Sequence, residues 1–550
     1  MKNKRKNIFI GLIIGLVTVI VFAASKSDIY AEIMKSQRLV NDVYKHLITN
    51  YVDDFDVQAF TRASIEDMVG ELDPYTIYIE ADERHNLDLL TTGKYGGVGI
   101  QIGKRDDRLT VIAPMDDTPA KRAGITNGDI IAKIDSTFTN ELSLDEASNL
   151  IRGEKGTNVT LYIERYGNDE LIEFVLTRDN IVVKDVAFAE LIDGDIGYIR
   201  LTRFSANSAP EMRAALNKFV EADASAFILD LRNNPGGLLG ASIEILDMLV
   251  PKDKLLLTTK GRTKESNREI YSKHNPIIPE DMEIVVLISE GSASASEIVA
   301  GTLQDLDRAI VMGRASFGKG LVQTVVSLDK ERALKITTAK YYTPSGRLIQ
   351  KPGYIDEELL VNKTEEDTLF TTAGGRTVKG GGGINPDIEI EVEYNYPLTF
   401  ACLRNGQFMA FVTEHKNSYS SIAEVKADKN MLMEFEQFIT ANEIEVITAG
   451  EKALSDTKER LFNIDSTNTD LNSAFSAIEQ FINDHEETLF EKEKAKLAEF
   501  LYEEFASVYG GEEGRFREQL NYDETVNQAL VLLKDETAII DIFLAGNQQL

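Results

Sequence analysis

Along most of the chain the apolar positions keep one of two rhythms, and the changes between them mark regions. In "KSQRLVNDVYKHLITNYV", Leu39, Val40, Val43, Leu47 and Ile48 recur close to a 3.6-residue period. That predicts a helical region over 25–92, read as a plain cap on a neighbouring domain, with a turn at Asp73-Pro74. From Gly93 to Arg178 the rhythm becomes that of short alternating strands, interrupted by two short helices. Thr118, Pro119 and Gly124 have the order of an N-cap, a first helical residue and a helix stop around the first of these. The second, "SLDEASNLIRG", opens with a capping box from Ser143 to Glu146 and stops at Gly153. Over 179–395 uninterrupted apolar strands such as "AFILDL" and "EIVVLI" alternate with amphipathic helices, the mark of an α/β sheet covered on at least one face. Over 396–550 the pattern is acidic amphipathic helix without a chemical motif, read as an accessory helical domain whose charge runs are solvated faces.

One stretch breaks both rhythms. "MKNKRKN" precedes an uncharged apolar run from Ile8 to Ala24, which reads as a signal peptide or an N-terminal membrane anchor over 1–24. Its positive flank stays inside and places the remainder outside the cytoplasm.

Composition narrows the chemistry. A length of 550 residues asks for several domains. A formal charge of -31 argues against nucleic-acid binding, which relies on Lys and Arg neutralising phosphates. With the single cysteine Cys402 and five scattered histidines, neither a disulfide nor a cysteine- or histidine-spaced zinc site is expected.

Two segments carry chemistry. The first is "GKYGGVGIQI". Backbone N–H groups around Tyr95, Gly96, Gly97 and Val98 have the makings of a nest for a carboxylate, and Gly99 and Ile100 lead into a strand edge that an extended peptide can join. Taken alone, these glycines also fit a simple turn. With "TPAKRAGI", "NGDIIAKID" and "RGEKGTNVTLYIER", the unit over 93–178 resembles a PDZ domain of the bacterial arrangement.

The second is "ISEGSASASEIVAG". Ser294-Ala295-Ser296-Glu297 fits a capping box, and Ser292 suits a cap too. A serine between a buried strand and a helix N-terminus also suits nucleophilic catalysis, because free N–H groups such as that of Ala295 stand ready for an oxyanion. With no histidine near, the base must come from elsewhere. A lysine whose amine is neutralised by burial can serve. Lys319 in "SFGKGLVQ", flanked by Phe317 and Leu321, has the pinched apolar setting for that, and Gln323 is placed to orient its amine. An exposed loop lysine is the ordinary alternative.

"FILDLRNNPGGLL", "GSASASEIVAGTLQDLDRAIVMG", "SFGKGLVQT" and "LKITTAKYYTPSGRLIQ", in this order, closely resemble the C-terminal processing peptidases, or tail-specific proteases. The resemblance implies a crotonase-like (ClpP/crotonase-type) α/β core with an inserted PDZ domain, and an extracytoplasmic serine endopeptidase that needs no metal or organic cofactor. It implies Ser294 as nucleophile, Lys319 as base, Gln323 as assistant, and the N–H groups of Gly237 and Ala295 as oxyanion hole. Substrates would be proteins with unstructured C-termini, and activity would rise with pH as Lys319 deprotonates. The acidic helical tail is a candidate for homo-oligomer or adaptor contacts. Two other classes compete: a non-catalytic PDZ scaffold or chaperone, disfavoured by the full Ser294, Lys319, Gln323 set, and a crotonase-type acyl-CoA enzyme, disfavoured by the secretory N-terminus.

Overall fold

The computed structural model describes residues 30–80, 92–105, 107–165, 168, 170–330, 332–355, 368–391, 395–446, 448–465, 469–486 and 488–544. The apolar run Ile8–Ala24 lies outside them. Among the described residues no helix is long and apolar enough to cross a membrane.

Contacts divide the chain into two compact units, Met1–Tyr78 and Ile79–Leu550. In the first, helix α1 (30–50) precedes α2 (Val57–Gly70). The Asp56 carboxylate caps α2 by accepting from Gln58 N and Ala59 N, as an aspartate at that position should. Leu39, Val40 and Val43 of the predicted stripe are exposed in the single chain.

The second unit begins with the segment read as PDZ-like. β1 (Lys94–Gly97) leads through a turn into β2 (Ile100–Arg105), β3 (Arg108–Pro114), α3 (Pro119–Ala123), β4 (Ile130–Ile134), α4 (Leu144–Ile151), β5 (Asn158–Glu164) and β6 (Ile172–Thr177). The sheet order is β2-β3-β4-β5-β6, which leaves β2 at an edge. β7 (Asp179–Val182) returns to pair with β1, so the segment's first and last strands leave together. The Ser143–Glu146 capping box forms as its spacing predicts. Thr118 does not cap α3. Its hydroxyl donates to Met115 O at 2.6 Å instead, and Pro119 at the first position needs no donor satisfied.

The following segment holds a sheet in the order β8-β9-β10-β13-β14-β17. Its strands are β8 (Val186–Ile192), β9 (Ile196–Leu201), β10 (Ala226–Asp230), β13 (Glu283–Ile288), β14 (Ile310–Gly313) and β17 (Ile388–Glu389). β8 is antiparallel and the others are parallel. Helices α5 (Ser208–Glu221), α6 (Leu239–Leu249) and α7 (Ala295–Asp305) connect them. A second sheet joins β11 (Leu255–Gly261), β12 (Arg268–Tyr271), β15 (Leu321–Ser327) and β16 (Ala333–Tyr342).

Strand periodicity sorts the central sheet's side chains into two cores. Ile199, Leu201, Phe227, Leu229, Ile284 and Val286 face α5, α6 and α7. Tyr198, Ile228, Val285, Leu287, Ile310 and Met312 point the other way. There they meet Val526, Ala529 and Leu532 of a helix at Glu524–Leu533, and Ile539 of the next at Glu536–Leu544.

Those helices belong to the acidic tail, so the expectation of a mere accessory domain is corrected. The tail has a core of its own, with Phe408, Phe411, Phe435, Leu497, Leu501 and Phe505 at its centre, and it also supplies the cover of one sheet face. Its long helix over Leu489–Leu520 kinks at Gly511, where φ is 63° and ψ is -155°, a conformation that suits glycine.

Candidate active site

The buried strand β13 delivers its last residue, Ile288, to the edge of the sheet, and the serine-rich turn follows. The serines differ in what they touch. The Ser292 hydroxyl is fully buried, donates to Leu231 O at 2.7 Å and accepts from Ser289 N at 2.9 Å. The Ser296 hydroxyl is fully buried too and donates to Asn234 O at 2.9 Å. Ser289 donates to Asn233 Oδ1 at 3.1 Å. Ser294, by contrast, is half-buried, with φ 55° and ψ -112°. A non-glycine residue held there is strained, and such strain survives only where the surroundings fix it.

Those surroundings come from two loops. On one side runs Asn233–Gly237, between β10 and α6. The Asn234 carbonyl accepts from Ala293 N at 3.0 Å, and its carboxamide bridges Leu201 O and Gly236 N at 2.8 and 2.9 Å. Gly236, at φ 91°, packs so closely on the serine turn that a Cβ there would lie 2.8 Å from both Ala295 N and Ser294 Cβ. Gly237 is braced on the other flank, where a Cβ would lie 2.0 Å from Phe204 O. The pair is therefore obligatory for two reasons, close approach to the serine turn and close approach to the end of β9.

On the other side lies Phe317–Gly320. Phe317 N donates to Ser292 O at 2.9 Å, and Gly320 N to Gln350 Oε1 at 2.9 Å. Between them, Gly318 N and Lys319 N donate to the Glu297 carboxylate at 2.7 and 2.9 Å. That carboxylate also accepts from Ser294 N at 2.7 Å and from the Ser316 hydroxyl at 2.5 Å. Burial pushes the Glu297 carboxyl above its usual range, against the pull of these donors. The Tyr341 hydroxyl completes the link, within bonding distance of Ser294 O at 3.2 Å and of Lys319 O. One buried carboxylate and one buried phenol thus tie the backbones of residues 294 and 319 together.

The expected setting of Lys319 needs correction. Leu321 is buried, but Phe317 is 45% exposed, so the apolar enclosure is one-sided and the lysine is half-buried. The Gln323 carboxamide donates to Thr337 Oγ1 on β16 at 3.4 Å.

Sequence reasoning named Glu297 only as a cap, and it passed over Tyr341, Asn234 and Gly236. The capping-box spacing of Glu297 was the available signal. For Tyr341 there was none, because it reaches the site from a different sheet.

The peptide-binding expectation also shifts. Tyr95, Gly96 and Gly97 lie in β1, paired with β7, and Gly96 O accepts from Gly153 N at 3.1 Å. The turn that leads into the edge strand is Val98–Gly99, whose carbonyls accept from Ala120 N and Met115 N at 3.0 and 2.9 Å. β2, beginning at Ile100, then runs beside α4 with one edge unpaired among the described strands.

Three family models match the chain: Peptidase family S41 over 195–359, PDZ domain over 88–164, and Probable PDZ-protease, C-terminal helical domain, over 398–533. The chain is 40% identical over 316 residues to a carboxy-terminal-processing protease of Bartonella bacilliformis, covering 57% of this chain and 72% of that protein. It is 40% identical over 307 residues to a carboxyl-terminal-processing protease of Synechocystis, covering 54% and 71%. Among solved structures, a photosystem II D1 C-terminal processing protease is 27% identical, with 63% of this chain and 85% of that chain covered and a TM-score of 0.36.

Proposed function

Because the chain belongs to the carboxyl-terminal-processing proteases, serine-type peptidases with a PDZ domain, we propose that Ser294 is its nucleophile and Lys319 its general base. The observation that carries this reading is the contrast among the serines. Ser292 and Ser296 spend their hydroxyls on buried carbonyls, whereas Ser294 is partly open, backbone-strained and coupled through Glu297 to the loop of Lys319.

In the proposed reaction the neutral Lys319 amine takes the proton of Ser294 Oγ as that oxygen bonds to the scissile carbonyl carbon. The N–H groups of Ala295 and Gly237 receive the negative charge that develops on the carbonyl oxygen. Collapse breaks the C–N bond, and the Lys319 ammonium returns the proton to the departing amine. Water then attacks the acyl-serine with Lys319 again the base, which releases the new C-terminus and restores the hydroxyl. Gln323 orients the amine when substrate is bound.

The PDZ domain supports capture of polypeptide C-termini. In this reading the carboxylate sits at Val98–Ile100 and the preceding residues add to the edge of β2, with Tyr95–Gly97 supporting the turn from behind. The parallel sheet with α5–α7 on one face supports a crotonase-like core, and the charged-then-apolar start of the sequence supports work outside the cytoplasm.

The test is cleavage of an unfolded fluorescent casein together with labelling by a fluorophosphonate. Ser294→Ala and Lys319→Ala lose both signals, while Ser292→Ala and Ser296→Ala keep them. Full cleavage by Ser294→Ala overturns the assignment.

A further inference from the structure

Two guanidinium groups and two carboxylates meet at the carboxyl end of β10, and one of them comes from far along the chain. Asp230 is fully buried. It accepts from Arg200 Nη1 at 2.5 Å, from the Tyr198 hydroxyl at 2.7 Å and from Arg232 Nη2 at 2.6 Å. The opposite side of the Arg232 guanidinium is gripped by Asp523, with Nη1 to Oδ1 at 3.0 Å and Nη2 to Oδ2 at 2.6 Å. Such a two-pronged Arg–carboxylate pair fixes orientation as well as charge. Asp523 is itself immobilised, because its Oδ1 caps the helix Glu524–Leu533 through Val526 N at 3.1 Å.

Charge balance makes Asp523 more than a tether. Arg200 and Arg232 together face Asp230 and Asp523, and removal of Asp523 leaves two half-buried cations on one buried anion. Directly after Arg232 comes Asn233 at φ 57°, then Asn234, Pro235 and Gly236, which presses on the serine turn, and Gly237, which packs on Phe204.

We propose that Asp523 of the C-terminal helical domain is a positioning residue for peptide-bond cleavage, acting through Arg232 on the Asn233–Gly237 turn. The proposal rests on the Ser294 reading above. A displacement of the turn by about 1 Å is enough to cost roughly a hundredfold in rate.

Asp523→Asn and Asp523→Ser both keep a good helix cap while removing the charge and the two-pronged grip on Arg232. Each lowers kcat on unfolded fluorescent casein about 10- to 100-fold with KM changed less than about twofold. Val526→Ala, which loosens the same helix without touching Arg232, lowers the melting temperature but keeps kcat. In an Arg232→Gln background, Asp523→Asn has no further effect on kcat. The proposal is overturned if both Asp523 variants keep kcat within twofold, if Val526→Ala loses as much, or if the losses of Arg232→Gln and Asp523→Asn multiply. Ser294→Ala separates the two readings: cleavage by that variant overturns the nucleophile assignment, whereas wild-type kcat in the Asp523 variants with an inert Ser294→Ala overturns only the role of Asp523.

Discussion

The two faces of the central sheet are built from opposite kinds of sequence. On one, each covering helix arrives within a short loop of the strand before it, and those loops carry the glycines and serines of the candidate site, with Lys319 in the connection from β14 to β15. On the other, the cover comes from residues 524–544, after an entire helical domain has intervened. Both faces bury side chains completely, as Val286 and Val526 illustrate. Chemical interest and structural necessity are therefore distributed differently: the first face bears the site, yet both hold up the sheet from which Ser294 is presented.

The comparison breaks most decisively under deletion. Removal of residues 523–544 exposes Tyr198, Ile228, Val285 and Leu287 together, an apolar strand surface that soluble domains do not leave open. The expected product is insoluble or lacks a cooperative melt, as followed by sedimentation and near-ultraviolet circular dichroism. A soluble truncation with wild-type turnover would show that the far face is dispensable after all. Next in size, Ser294→Ala lowers casein cleavage by at least about a thousandfold while the thermal midpoint stays in place, which assigns the first face its chemical role alone.

The matched pair Val286→Ala and Val526→Ala sharpens the point. Each empties a fully buried position, and each costs about 2 kcal/mol in denaturant unfolding. A much smaller loss at residue 526 would demote the far cover. Ser292→Ala removes the hydroxyl donor of the Leu231 carbonyl, which keeps Asn234 N at 3.2 Å, at a cost of about 1 kcal/mol, with cleavage retained.

The smallest expected effect is electrostatic. Burial, with Glu504 and Glu499 nearby and despite Arg515, raises the Glu503 carboxyl from 4.5 to about 7. The folded chain therefore holds a proton that the unfolded chain releases between pH 4.5 and 7. Stability from this group is fully present below pH 4.5 and is lost as pH rises to about 7. Glu503→Gln should flatten that slope and raise the melting temperature by a few degrees at pH 8. A slope unchanged from wild type rules the group out as its source.

How far the sequence could be read follows the same division. The serine turn, the lysine loop and the PDZ-like unit were legible because their glycines and caps act on near neighbours, as the Ser143–Glu146 box does. Thr118 misled because a hydroxyl beside a helix start can equally donate backwards, here to Met115 O. Tyr341 and Asp523 were illegible for a different reason. Each acts across a long loop, and nothing in a tyrosine on a strand or an aspartate before a helix says which distant backbone it will meet. The pairing of Gly96 and Gly97 with Asp179–Val182 leaves no trace in the local pattern, because the partner strand lies some eighty residues on.

The far cover has a consequence in time. A chain leaving the ribosome gains α5, α6 and α7 early, and with them the serine turn and the lysine loop. The sheet nevertheless stays bare on one side, and Arg232 stays without its second carboxylate, until residues 523–544 have emerged. In this order the side of the sheet that carries the serine turn is made well before the cover of its other side.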